Sequence, residues 1–199
     1  MSSSGLFQAL VAIHPLSDDF KDSLEKELVS LSLPKNHVLL EAPRIAEYAY
    51  FIKSGFAMSY SHQDGKKIIE SFWKPGQIMT IPGSFYDQTP STETIQLMEK
   101  SDLICLSHAS LHRLFEKHHE MHYLYNKIMN RHFAKCRTRI SDIQRLSALA
   151  RLEILLSTYP DIEQIIPQEN IASYLNITPQ SLSRLKRERA KLNIGQAQI

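Results

Sequence analysis

The chain has 199 residues, of which 43% are hydrophobic, so it can bury one large core or two modest ones. Its formal net charge of +2 hides an asymmetry: residues 1–118 hold 11 Lys+Arg against 14 Asp+Glu (−3), and the remainder holds 12 against 7 (+5). Cys105 and Cys136 are too few for a disulfide framework or a four-thiolate cluster. No apolar run reaches the roughly 18 residues of a membrane span, and the N-terminus lacks a basic-led signal segment, so a cytoplasmic protein without a membrane partner is expected.

Residues 6–33 read as helical, with Ser17 or Asp18 as a cap and Phe20, Leu24, Leu28 and Leu31 recurring every three or four positions. From Pro34 the period changes to two. Val38 and Leu40, then Tyr48, Tyr50 and Ile52, then Phe56, Met58 and Tyr60, then Ile68, Glu70 and Phe72 alternate in short runs broken by Pro43, Gly55 and Pro75-Gly76. Asp64-Gly65 is a hairpin signal, because a type I′ turn needs positive φ at both central residues. A looser region from Pro82 to Thr92 precedes two further runs, Thr94 to Met98 and Leu103 to Leu106, with no helix until Ser110. Many short strands punctuated by Gly and Pro predict an α+β chain whose sheet part is an antiparallel β-roll of the jelly-roll kind.

Helical spacing resumes at Leu111, Leu114 and Phe115, and a long helix starts near His119. Met129, Phe133, Cys136, Ile140 and Ile143 step by 4, 3, 4 and 3, the seam spacing of a two-helix contact, so a homodimer is favoured over packing of this stripe within the chain. Ser147 caps a further helix that carries Leu149, Leu152, Leu155 and Leu156 and stops at Tyr159-Pro160.

The stretch Ile166 to Lys191 then holds two short helices, opened by Pro167 and by Thr178-Pro179 and joined through Asn176. Ile171, Leu175, Ile177, Leu182 and Leu185 face one another across the pair, with Ala172 small at the crossing. The second helix carries Arg184, Lys186, Arg187, Arg189 and Lys191 on its polar face. Caps, turn residue and basic helix in register read as a helix-turn-helix, and its partner as double-stranded DNA.

Roll, seam helix and helix-turn-helix in this order, with Asp64-Gly65-Lys66-Lys67 and Pro75-Gly76-Gln77 inside the roll, resemble the Crp–Fnr family of transcription regulators. The resemblance implies a cyclic-nucleotide-binding-like sensor over residues 1–118, a dimerisation helix and hinge over 119–146, and a DNA-binding domain over 147–199. Only eight residues follow Lys191, too few for the usual β-hairpin wing.

By position, the family's base-contacting places fall on Pro179, Gln180 and Arg184. Pro179 offers no hydrogen bond, which leaves Gln180, suited to adenine, and Arg184, suited to guanine. Gln168, Thr178, Ser181 and Ser183 suit phosphates, with Arg187 on the same face. In cyclic-nucleotide-binding relatives a Glu for the ribose and an Arg-Ser pair for the phosphate follow the Gly-rich turn; here those places read Ile81, near Gly83 and Ser84, and Ser91-Thr92. Without that Arg the strongest charge-assisted bond is missing, which argues against cyclic AMP. Ile81, Gly83, Ser84, Ser91 and Thr92 thus mark a ligand pocket of unassigned effector, and no cofactor is implied. RNA polymerase is the further partner if the regulator activates.

No enzyme chemistry is expected. The pairs His108/His112 and His118/His122 lack a carboxylate or Cys to complete a metal site, His37 and His62 stand singly, and Ser84, Ser91 and Ser107 have no base in a nucleophile motif. The alternative reading is a dimeric ligand-binding or protein-interaction module whose helix-turn-helix is degenerate.

Overall fold

A computed structural model describes residues 3–196, with side chains described through residue 190. The chain divides into two compact units, residues 1–61 with 71–134 and residues 62–70 with 135–199. The division falls inside one long helix and partway along one hairpin, whose tip (residues 62–70) belongs to the second unit.

The first unit opens with helices α1 (Ser4–Val11) and α2 (Asp18–Glu27). Ser17 caps α2, its hydroxyl accepting from the Phe20 N–H at 3.2 Å, and Asp18 and Asp19 complement the positive helix start. The expected continuation of helix to residue 33 is wrong: Leu28–Leu33 is strand β1. Its partner is distant in sequence, Leu28 standing opposite Leu106 and Leu33 opposite Ser101. A spacing of three between Leu28 and Leu31 fits a helix locally, but pairing with a strand about 70 residues away decides the outcome.

The roll continues through β2 (Val38–Leu40), β3 (Tyr48–Ser54), β4 (Ala57–Gln63), β5 (Lys66–Trp73), β6 (Ile78–Met79), β7 (Thr94–Leu97) and β8 (Ser101–Ser107). These form two four-stranded sheets, ordered β1-β8-β3-β6 and β2-β7-β4-β5, with antiparallel pairing. At the β4–β5 turn Asp64 has φ 51° and Gly65 φ 72°, the two positive values a type I′ hairpin demands. The helix-free region expected before Ser110 needs correction, since Pro82–Tyr86 forms the short helix α3, its proline in the first turn. Ser107 caps α4 (His108–Lys117) through the Ser110 N–H at 3.0 Å.

Phe20, Ile52, Met79, Phe85, Leu97, Leu103 and Leu124 are all at most 1% exposed and come from helices and both sheets. Each contributes about 1.5–3 kcal/mol by leaving water, which is what holds helices and roll together.

Helix α5 (His119–Arg145) begins in the first unit, where Met121 and Leu124 are buried, and ends in the second. At 27 residues it is about 40 Å long. The second unit adds α6 (Ala148–Thr158), α7 (Ile162–Ile165), α8 (Gln168–Tyr174) and α9 (Pro179–Gln196). Leu152, Leu155, Ile162, Ile166, Ile171, Ala172, Leu175 and Leu182 form its interior. Residues 197–199 of the tail expected to be wingless lie outside the described residues.

Candidate nucleic-acid interface

Helix α8 ends in a Schellman motif: the Ile177 N–H reaches the Ala172 carbonyl at 3.0 Å and the Asn176 N–H the Ser173 carbonyl at 3.0 Å. Asn176 supplies the left-handed residue, φ 54°, that this closure needs. Two residues later Thr178 caps α9, its hydroxyl accepting from the Ser181 N–H at 3.1 Å and donating to the Ser181 hydroxyl at 3.0 Å. Buried Ile171, Ala172, Leu175 and Leu182 pin the helices together. The turn therefore has a fixed geometry, and α9 presents a defined face.

On that face Gln180, Ser183, Arg184 and Arg187 are exposed and Ser181 is half-buried. Gln180, Ser181, Arg184, Arg187 and Glu188 line one shallow concavity. Arg184 keeps 73% of its side chain in solvent, with Nε 4.0 Å from the Glu188 carboxylate, a contact loose enough to yield to a better acceptor. Arg187 leans back on the Ser183 carbonyl at 3.4 Å. Thr178, Pro179 and Gln168 are exposed, the first two at the start of α9 and Gln168 at the start of α8.

The basic face is narrower than the sequence predicts. Lys186 is turned inward and ion-paired with Glu163 of α7, only 26% of its side chain exposed. Arg189 is half-buried. Lys191 lies outside the described side chains.

Residues that sequence reasoning did not single out hold this unit together. The Ser173 hydroxyl donates to the Lys67 carbonyl at 3.1 Å and accepts from the Ile69 N–H at 3.1 Å, joining α8 to the β4–β5 hairpin. Arg139 donates to the carbonyls of Glu70, of Ile69 at 3.1 Å and of Tyr174 at 3.4 Å, and its guanidinium lies 4.0 Å over the Tyr174 ring. Arg151 donates to the Leu146 carbonyl at 2.7 Å and the Leu175 carbonyl at 3.1 Å. The available signal was an arginine on the flank of an otherwise apolar stripe, but backbone acceptors leave no sequence signature.

Of the residues expected at a dimer seam, Phe133 (62% exposed), Ile140 (57%) and Cys136 are exposed on α5. Met129 is half-buried, and half-buried Ile143 faces a cleft of the second unit.

In the roll, the residues expected at a ligand pocket are engaged internally. The Ser84 hydroxyl accepts from the Ala46 N–H at 2.9 Å, and Ser91 donates to the Glu93 carbonyl at 2.7 Å and accepts from the Glu93 N–H at 3.1 Å. The Gln88 amide donates to the carbonyls of Ala46 at 3.1 Å and Phe85 at 2.8 Å, and Thr89 to that of Gly83 at 3.0 Å. Ile81 is half-buried at the start of α3, and Gly83 and Thr92 are exposed. A groove of about 690 Å3 nearby is lined by Glu41, Arg44, Glu47, Tyr48 and Gln88 among others, and by none of the five. Among the histidines, His118 packs edge-on against Phe20 and His108 against His112.

The described residues thus join a roll of two antiparallel sheets, through a long helix, to a capped helix-turn-helix. Residues 30–118 match the cyclic nucleotide-binding domain family. The chain has the fold of Crp/Fnr-type regulators. FixK2 of Bradyrhizobium japonicum is 16% identical with a TM-score of 0.71, covering 84% of this chain and 86% of that one. A protein described as a crp/fnr-family transcriptional regulator from Eubacterium rectale is 18% identical with a TM-score of 0.70, over 87% and 83%. The c-di-GMP responsive global regulator CLP of Xanthomonas campestris is 12% identical with a TM-score of 0.68, over 88% and 93%. No curated protein matches by sequence.

Proposed function

We propose that the protein is a homodimeric, sequence-specific DNA-binding transcription regulator. The observation that carries this is the outer face of α9: on a capped helix, Gln180 and Arg184 stand one turn apart and exposed, while the neighbouring Lys186 is neutralised by Glu163. That is a face with two base-reading side chains, polar flanks for phosphate and little excess charge for indiscriminate binding. Gln180 reads adenine, Arg184 reads the O6/N7 edge of guanine, and Gln168, Thr178, Ser181, Ser183 and Arg187 hold the backbone. The uncovered α5 stripe supplies the dimer, whose two-fold axis spaces the recognition helices over successive major grooves.

The roll is a sensor whose effector is not cyclic AMP. Ser91 and Thr92 provide no cation for a cyclic phosphate, and Ser84, Gln88 and Ser91 are committed to the roll's own backbone. Calorimetric titration with cyclic AMP should show no saturable heat, and micromolar binding would overturn this part. Regulation by an effector would act through the population of two α5 arrangements, with RNA polymerase as the partner of an activating state.

The decisive variant is Arg184→Ala. Its exposed side chain supports no packing, so the fold should persist while binding to the preferred site weakens by about 1–3 kcal/mol and preference relaxes at one base pair per half-site. Equal weakening on all sequences would mean that Arg184 contacts phosphate.

A further inference from the structure

The second unit contains a cleft of about 300 Å3 between the C-terminal half of α5 and helices α6 and α8. Three cations line it, Lys135, Arg139 and Arg151, against one carboxylate, Asp142, leaving a lining charge of two positive. Among the described residues no carboxylate comes within ion-pair distance of any of the three; the ion pairs lie elsewhere. Arg139 and Arg151 meet only neutral carbonyls and a tyrosine ring, and Arg151 Nε is buried with no hydrogen-bond partner. A buried guanidinium N–H without an acceptor is costly, and native structures rarely leave one so. Nor does stability require three cations around one cleft, since their mutual repulsion opposes it.

The opposite wall is apolar. Ile154, 45% exposed, and Leu155 face the cleft beside Ile143. The volume is at the small end of the range for pockets that take organic ligands.

We propose that this cleft binds a small organic phosphate, a monoester dianion carrying an apolar ring. A dianion balances the lining charge, the exposed Lys135 ammonium supplies its donor, Arg139 and Arg151 add positive charge to the lining, and Ile154 and Leu155 line the side that takes the ring. A carboxylate would neutralise only half of the excess. Because the cleft joins α5 to the helices that carry the helix-turn-helix, occupancy fixes the end of α5 against α6 and α8. This site is separate from the α9 face and does not depend on it.

Phenyl phosphate is the probe, titrated calorimetrically into the full chain without DNA, with inorganic phosphate and benzoate in parallel. One site per chain is expected, with phenyl phosphate at least tenfold tighter than either. Lys135 and Ile154 are exposed, so Lys135→Gln and Ile154→Trp keep the fold, which an unchanged melting temperature verifies. Lys135→Gln should weaken binding tenfold or more, and Ile154→Trp, which fills the cleft, should abolish it. No saturable binding, binding indifferent to both substitutions, or equal affinity for inorganic phosphate or benzoate would each overturn the proposal.

Discussion

Replacing Phe133 by alanine tests the dimer in quantitative terms. Phe133 is 62% exposed on α5. A phenylalanine offers roughly 200 Å2, so about 120 Å2 of it waits to be covered, worth about 3 kcal/mol at about 25 cal/mol per Å2. A two-fold interface counts this twice, about 6 kcal/mol, and alanine retains about a third of it, so the expected loss is about 4 kcal/mol. At about 1.4 kcal/mol per decade the dimer dissociation constant rises roughly a thousandfold. Sedimentation equilibrium measures this directly. Thermal unfolding monitored at protein concentrations where both forms are monomeric should change much less, because most of Phe133 lies in solvent within its own chain. A wild-type protein that sediments as a monomer at tens of micromolar, or a variant that dimerises as well as the wild type, would refute the seam.

Leu182→Ala removes a fully buried side chain from the helix-turn-helix and should destabilise that unit by about 2–5 kcal/mol, seen as a lower melting transition for the second unit. Ser173→Ala removes the hydroxyl that accepts from the Ile69 N–H, so hydrogen exchange at Ile69 should accelerate, with a stability loss of about 0.5–1.5 kcal/mol. Glu27 is held down to about 2, first by its hydrogen bonds from Arg113 and then by that from Ser110. A depressed carboxyl contributes stability that is complete above its unfolded pKa and disappears as pH falls through the folded one. Acid titration of wild type against Glu27→Gln should therefore show the difference in stability shrinking between pH about 4.5 and about 2, and a difference independent of pH in that window would contradict the pairing.

What could be read in the sequence was whatever local chemistry dictates. Asp64-Gly65 announces its turn because few residues tolerate two consecutive positive φ values, and Ser147 and Thr178 announce their helices because a hydroxyl satisfies backbone donors three residues on. The spacing of Leu28 to Leu33 suits a helix, and only its non-local partner makes it a strand. Helix α3 escaped because five residues carry no periodicity. Within the candidate interface the same division holds. Exposure of Gln180 and Arg184 follows from their place on an amphipathic helix, whereas the loss of Lys186 to Glu163 depends on how α7 and α9 pack. The roles of Arg139, Arg151 and Ser173 were hidden for a related reason: their partners are main-chain atoms of distant segments, and any residue can supply those.

In the proposed function α9 reads sequence, and two copies read together. Selection of the full-length protein against a randomised DNA duplex library, at a stated salt concentration of about 0.15 M, tests this most directly. The expected result is enrichment of an inverted repeat whose half-sites lie one helical turn apart, about 34–36 Å, each containing a guanine and an adenine lost from the motif when Arg184 and Gln180 are replaced by alanine. Retention of DNA without an enriched motif, disappearing as salt rises and indifferent to both substitutions, would contradict it.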